Sequence, residues 1–355
     1  MTSTSARTTG WLPLLSFRFS DDGEKVAIIA SDPLHRVRAR IDQAALLDLL
    51  EHQAQDDDAS EVGKPPPLRS KLAELGWFPA SDVDDETLRH AKFWWKNGWH
   101  PSLEYYLWSR QANYRDVADD SGEIRRALVR TYLESDGAPP ERLTSSGARH
   151  ALPAPPALPN DCPLGILLIT RRSVRAFAHD RLDETLLSAA LYHGLDDVRR
   201  RRQSQFDDEL DYLQTHGVAF DIYVIVYDVR GVQEGVFQYD LEHHELIAGE
   251  AGNHRDRMTR ILCGLRSPET AAWTIVLAAD FAQYQWRYRH ERALRHLYMA
   301  AGRLGQRLIL VSLAYGLGTV PTPATHDREL CELLRLDRDR QAPIYTLTTG
   351  PRSGS

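Results

Sequence analysis

The chain has 355 residues, room for two domains at about 150 residues each, and its apolar content is ordinary for a globular protein with a sizeable core. A net charge of −7 argues against nucleic acid as a partner, and no apolar run approaches the ~20 residues that span a membrane. Cys162, Cys263 and Cys331 are far apart and odd in number, so they show neither a metal-ligand spacing nor a disulfide framework. Met1–Gly10 is polar and lacks the apolar centre of a signal peptide, and the expectation is a soluble, cytoplasmic, metal-free protein.

Lysine is confined to Lys25, Lys64, Lys71, Lys92 and Lys96, so arginine supplies nearly all the positive charge. Phe17–Ser31 reads as a hairpin about the turn Asp21-Asp22-Gly23. Ile41–Gln53 then reads as a helix, Gln55–Pro67 as a loop, and Leu68–Leu75 as a second helix capped by Gly76. Asp85–Arg110 is dense in aromatics, which points to core or interface, and His100 within it reads as a satisfied histidine. Ser135–Pro163 carries Pro139, Pro140, Pro153, Pro155, Pro156, Pro159 and Pro163 with few large apolar side chains. It reads as a linker, and the domain boundary is expected there.

Three arginines and a serine then fall within Arg171-Arg172-Ser173-Val174-Arg175. Guanidinium forks and a hydroxyl are suited to gripping a phosphate, although a solvated basic turn has the same composition. A helix follows: Asp183 can cap it, Leu186, Leu187, Ala190 and Leu191 make its apolar stripe, and Gly194 can close it. Asp196–Gln214 is highly charged and reads either as a solvated helix or as a surface for a peptide or partner protein. Buried strands are expected at Phe220–Val229 and Trp273–Ala279, a turn into a hairpin at Val229–Asp240, and a helix at His254–Leu265. Leu297, Ala301, Leu304, Leu308, Val311 and Ala314 recur on one side of a long helix that Tyr315–Thr319 stops. A last helix is read at Asp327–Leu336 and a last strand at Pro343–Gly350.

This order of elements resembles the flavin-dependent nitroreductase superfamily, and within it the SagB/McbC-like azoline dehydrogenases, which oxidise thiazolines and oxazolines in peptides. The resemblance lies in Arg171-x-Ser173-x-Arg175, in "VRGVQEGVFQYD" (Val229–Asp240), in Arg292, Arg295, Gly302 and Gln306 of the long helix, in "YGLGT" (Tyr315–Thr319), and in "PIYTLTTG" (Pro343–Gly350) followed by Arg352. A front portion ending in "ELGWF" and the segment "WHPSLEYYLWSR" (Trp99–Arg110) match the branch more loosely. The chain departs from the pattern at Leu294, Ala300 and Arg303, at Thr322-Pro323-Ala324, and at Tyr212–Thr215, where a Pro-Ser-Ala-Gly turn would lie over the flavin.

The resemblance implies an α+β, nitroreductase-like fold with a central mixed or antiparallel sheet, preceded by a small winged-helix-like domain. The expected partition is 1–134 for the front region, 135–163 for the linker and 164–355 for the flavin domain. It implies FMN in a cleft of a homodimer, with Arg171, Ser173 and Arg175 on the phosphate, Arg172 between them and free to turn elsewhere, and Gln306, Gly316, Leu317, Gly318 and Arg352 as further cofactor contacts. The family's catalytic Lys-Tyr pair has no lysine here, since none follows Lys96; Arg287-Tyr288 lies close to its place. Arginine cannot serve as a base, but its charge favours a tyrosinate, so Tyr288 is the candidate acid/base with Arg287 as its electrostatic partner. Tyr284 and His290 are rival bases.

Three functions compete. The first is FMN-dependent oxidation of thiazolines or oxazolines to thiazoles or oxazoles in a ribosomal precursor peptide, with O2 as terminal acceptor and cyclodehydratase proteins as pathway partners. The second is an NAD(P)H-dependent reductase on the same fold. The third is a degenerate, non-catalytic scaffold subunit of a peptide-maturation complex.

Overall fold

A computed structural model describes residues 15–19, 25–31, 36–42, 93–94, 96–109, 121–203 and 220–352. The chain divides into two compact units, one of Met1–Tyr114 with His290–Arg292, the other of Arg115–Arg289 with Ala293–Ser355.

In the first unit, β1 (Leu15–Phe19), β2 (Lys25–Ser31) and β3 (Arg36–Asp42) form an antiparallel sheet in that order. Phe17 pairs with Ile28, and Ile28 with Ala39, so the expected hairpin is present and is extended by a third strand. Ile41 and Asp42 belong to that strand, which corrects the helix read from Ile41; the rest of that helix, the turn at Asp21–Gly23, and the second short helix lie outside the described residues. Helix α1 (His100–Ser109) buries Leu103. Among the described aromatics before and on it, Phe93 and Trp99 are 67% and 59% exposed rather than core, while Trp94 stacks on Tyr106 at 5.1 Å and meets Trp99 edge-on at 5.6 Å. Arg292 donates to the carbonyl of Ser109 at 3.2 Å.

The second unit is built on a seven-stranded sheet in the order β11-β12-β10-β6-β8-β9-β4, every pairing antiparallel. Its middle strands, β6 (Phe220–Val226) and β10 (Trp273–Asp280), are buried at every position, which explains why both read as unbroken apolar runs rather than alternating ones. β8 (Gly235–Asp240), β9 (Glu245–Ala251) and β4 (Arg149–Ala151) extend one side; β12 (Gln341–Pro351) and β11 (Leu317–Thr322) extend the other.

Helices cover both faces. On one face α4 (Glu184–Gly194) and the 22-residue α8 (Ala293–Ala314) pack Leu187, Leu191, Leu297, Leu304 and Leu308 onto Trp273, Ile275, Ile222 and Val224. On the other, α6 (Arg255–Ile261) and α9 (Asp327–Leu334) pack Met258, Ile261, Leu330 and Leu333 onto Tyr223, Ile225, Val276 and Ala278. Asp183 caps α4 as expected, accepting from the Thr185 amide at 3.1 Å. The remaining helices are α2 (Glu123–Asp136), α3 (Leu164–Thr170), α5 (Asp196–Gln203) and α7 (Phe281–Arg287), and a two-residue parallel pair joins β5 (Leu182–Asp183) to β7 (Val229–Arg230).

The proline-rich segment 135–163 is not a free linker, and the units divide at Tyr114/Arg115 instead. Proline has no N–H, so this segment has more backbone carbonyls than donors. Side chains of the second unit supply the donors: Trp286 to Gly137, Gln283 to Pro140, Arg340 to Glu141, Gln238 to Leu143 and Ser188 to Pro153. His193 and Tyr315 serve Pro156, and β4 joins the sheet edge against β9. Nor is α5 wholly solvated. Arg199 is 5% exposed, its guanidinium lying 3.4 Å from the Tyr192 ring centroid while bonding the Tyr192 carbonyl and Asp196. Among the described residues, no helix is long and apolar enough to cross a membrane.

Candidate cofactor and acid–base sites

The Arg171–Phe177 stretch follows α3 and lies along the ends of β11 and β12. The Val174 amide donates to the Thr319 carbonyl at 3.1 Å, and Ser173 bridges Thr319 in parallel. Further on, the Phe177 amide donates to the Thr270 hydroxyl at 3.0 Å and the Ala178 amide to the Pro351 carbonyl at 3.0 Å. Val174 and Phe177 face inward, while Ala176 is exposed. Phe177 is 4% exposed, and burying such a ring contributes roughly 1.5–3 kcal/mol. Two glycines make room for them: a Cβ on Gly318 would stand 2.8 Å from Val174, and one on Gly350 would stand 2.7 Å from the Phe177 ring.

The polar members are left outside. Ser173 and Arg175 are exposed and Arg171 is half-buried; among the described residues the side chains of Arg171 and Arg175 form no hydrogen bond or ion pair. Arg171 lies close enough to Tyr345 to oppose the upward push that burial gives that phenol. Arg172 is turned away, donating to the carbonyls of Ile169 and Arg171 at the end of α3. Arg352, exposed, follows Pro351, which pairs with Leu317.

Tyr315-Gly316-Leu317-Gly318-Thr319 therefore divides its work. Gly316 has φ 76, ends α8 and is exposed with open space beside it. The Leu317 side chain is in the core and Gly318 is filled by Val174, so only main-chain atoms of these two are candidates for ligand contact. Gln306 is exposed on α8, a little over halfway along the helix.

Tyr288 sits at the other end of α8. It caps the C-terminus of α7, half-buried, with its ring 4.8 Å from that of Tyr284 and the Arg287 guanidinium 5.2 Å from its centroid. Tyr284 is 6% exposed and donates to the Ala293 carbonyl at 3.1 Å, so its hydroxyl is spent on the start of α8. His290 belongs to the other unit. Helix α7 is itself held firmly. Asp280 caps it through the Gln283 amide and receives Arg340 at 2.9 Å on both oxygens, with Asp280 fully buried. Arg289 bonds Asp136 and lies over the Tyr132 ring. At ~1.5 Å per residue, α8 separates Tyr288 from Gly316 by roughly 30 Å.

The loop's inward half was missed in the sequence; Val174 and Phe177 alternating with arginines were the available signal. Thr270 and Thr319, which fasten the loop, gave no signal at all.

A model of the nitroreductase family matches residues 168–351, just over half of the chain. The chain belongs to the nitroreductase family. The match runs from the last turn of α3 to the end of β12, sets the enzyme class as oxidoreductase, and brings a family whose members typically bind flavin. Trifolitoxin operon protein TfxC of Rhizobium leguminosarum bv. trifolii is 25% identical over 295 residues, covering 79% of each chain. The nitroreductase-family protein MJ1384 of Methanocaldococcus jannaschii is 31% identical over 192 residues, 52% of this chain and 88% of that one. Among solved structures, a chain of the E. coli microcin synthetase McbBCD complex with truncated pro-MccB17 bound is 16% identical, covers 80% of this chain and 98% of its own, and superposes with a TM-score of 0.41.

Proposed function

We propose that the protein is an FMN-dependent dehydrogenase that oxidises azolines in a ribosomally made peptide to azoles, and that it works as a homodimer. The observation that carries this reading is the convergence of the Arg171–Arg175 loop, the start of β11 and Arg352, with cations and a hydroxyl left outside while Val174 and Phe177 pack inward. Unpaired guanidinium groups next to open backbone fit a phosphate-bearing cofactor. Arg171, Ser173, Arg175 and Arg352 would hold the phosphate, and the main chain of Gly316–Gly318 would face the ring system. FMN bound there supplies a hydride acceptor, with O2 as the terminal oxidant.

The chain's own task is placement and proton removal. Tyr288 takes the proton from the azoline ring carbon, with the Arg287 guanidinium 5.2 Å from its ring centroid as its electrostatic partner. Since α8 holds Tyr288 and Gly316 at opposite ends, a second copy supplies Tyr288 to the cofactor held by the first. The apolar side chains left exposed on α3 and α8, among them Leu164, Ile166, Ile169 and Met299, support that contact. The peptide substrate is supported by the relative from the trifolitoxin operon, which extends over 79% of this chain. Cyclodehydratase proteins of the same pathway are the expected partners.

The test is a visible spectrum of the protein purified without added cofactor, beside an Arg171→Ala, Arg175→Ala double variant. Flavin bands in the first that are lost in the second support the reading. A colourless protein that ignores added FMN moves it to a scaffold subunit, and rapid NADH consumption with a generic acceptor moves it to a reductase.

A further inference from the structure

Helix α7 has seven residues, short of the ~12–15 that an isolated helix needs in water. The first part of the proline-rich strap, 136–141, holds it in four steps. Asp136 bonds Arg289. The Gly137 carbonyl accepts from Trp286 Nε1 at 3.1 Å, and the Pro140 carbonyl from Gln283 Nε2 at 2.9 Å. The Glu141 carbonyl accepts from Arg340, which also grips the α7 cap Asp280 at 2.9 Å. Residue numbers rise along the strap as they fall along α7, so the contacts form an antiparallel ladder rather than a single clasp.

The ladder starts from a fixed point. Gly137 ends α2 with φ 74 and ψ −167, a conformation essentially confined to glycine. Its amide donates back to the Leu133 carbonyl at 3.0 Å, while its carbonyl faces Trp286. Tyr132, in the last turn of α2, meets the Trp286 ring edge-on at 6.1 Å and lies 3.7 Å beneath the Arg289 guanidinium.

Gln283, Trp286 and Arg289 are spaced three apart and face the strap. Tyr284 and Tyr288, spaced four apart, fall on the opposite side of α7. A single turn of helix therefore joins the ladder to the Tyr284–Tyr288 ring pair, and a shift of α7 on the ladder side carries Tyr288 with it. Gln283 also shows that the fastening is not a matter of stability alone. Its Nε2 bonds Pro140, but its Oε1 is buried with no partner among the described residues, and an unpaired buried acceptor is destabilising.

We propose that the 136–141 ladder is a positioning device for Tyr288, with Gln283 and Trp286 as positioning residues for proton removal. This rests on Tyr288 being the acid/base of the reaction proposed above.

Fluorine NMR of the full chain labelled with fluorotyrosine tests it. The lines of Tyr288 and of Tyr227, which is fully buried in the core beneath α6 and α9, are identified by their loss in Tyr288→Phe and Tyr227→Phe. Gln283→Met with Trp286→Phe keeps apolar bulk and removes both ladder donors. The Tyr288 line should shift and broaden in this variant while the Tyr227 line holds. Turnover of a synthetic peptide carrying one thiazoline should fall about 10²-fold, the effect of a ~1 Å misplacement, at unchanged KM and flavin content. Trp286→Phe alone carries the test should the double variant fail to fold. A Tyr288 line that does not move overturns the ladder, and so do both lines moving together, the sign of general loosening. Native turnover in Tyr288→Phe overturns instead the acid/base reading beneath it, so the two failures are told apart.

Discussion

At the scale of single residues, small groups do most to place the candidate site. Gly318 has no Cβ, and Val174 occupies that space. Gly318→Ala should therefore cost roughly 1–3 kcal/mol as overpacking, seen as a lower urea midpoint, and should reduce the flavin content by lifting the Arg171–Arg175 loop from β11. Asp280 is a second such position. Its loss in Asp280→Ala strands the half-buried charge of Arg340 and uncaps α7, and should cost about 3–5 kcal/mol in denaturant unfolding, with Asp280→Asn milder. His244 gives the molecule a pH slope. Its folded pKa lies below its unfolded one, so its contribution is fully present above the unfolded value and is lost as pH falls through the folded value. Melting temperature should therefore fall on acidification below about pH 6.5, and less steeply in His244→Asn.

At the scale of elements, periodicity carried the reading of helices and strands far. The stripe Leu297, Ala301, Leu304, Leu308 is the buried face of α8, and the apolar runs at Phe220 and Trp273 are the central strands. The segment 135–163 shows where that method stops. Its prolines and scarcity of large apolar groups resemble a linker, yet its carbonyls are bonded by side chains from distant parts of the chain. Those donors leave no local pattern. Gln238 is the sharpest test, because it is 7% exposed and bonds both the Leu143 carbonyl and the Ser145 amide. Gln238→Leu leaves both backbone groups without that partner and should cost roughly 1–3 kcal/mol for each that stays buried, measured as a shift in urea midpoint at unchanged m-value.

At the scale of the whole molecule, the length of α8 sets the organisation of the site. Cofactor-binding and acid–base candidates lie at its two ends, and in the proposed arrangement a second copy brings them together. Ile166→Lys with Ile169→Lys on α3, and Met299→Lys on α8, should convert a dimer to the 40.3 kDa chain in sedimentation and lower flavin content with it. Sedimentation of the unaltered protein as a monomer with full flavin would sink the shared-site arrangement.

The sequence by itself determined the fold class, the buried strands begun by Phe220 and Trp273, the helices after Asp183, His254 and Arg292 and at Asp327, the last strand to Gly350, and the phosphate-grip candidates, because these depend on periodicity, caps and short contiguous residue sets. Tertiary structure alone decided which arginines stay outside, that Gly318 serves packing, that Tyr284 is occupied, that the aromatics at Phe93 and Trp99 are exposed, and that the proline-rich strap is fastened down. Each of these rests on a partner far away in the chain, and local sequence records a side chain's chemistry without recording who meets it.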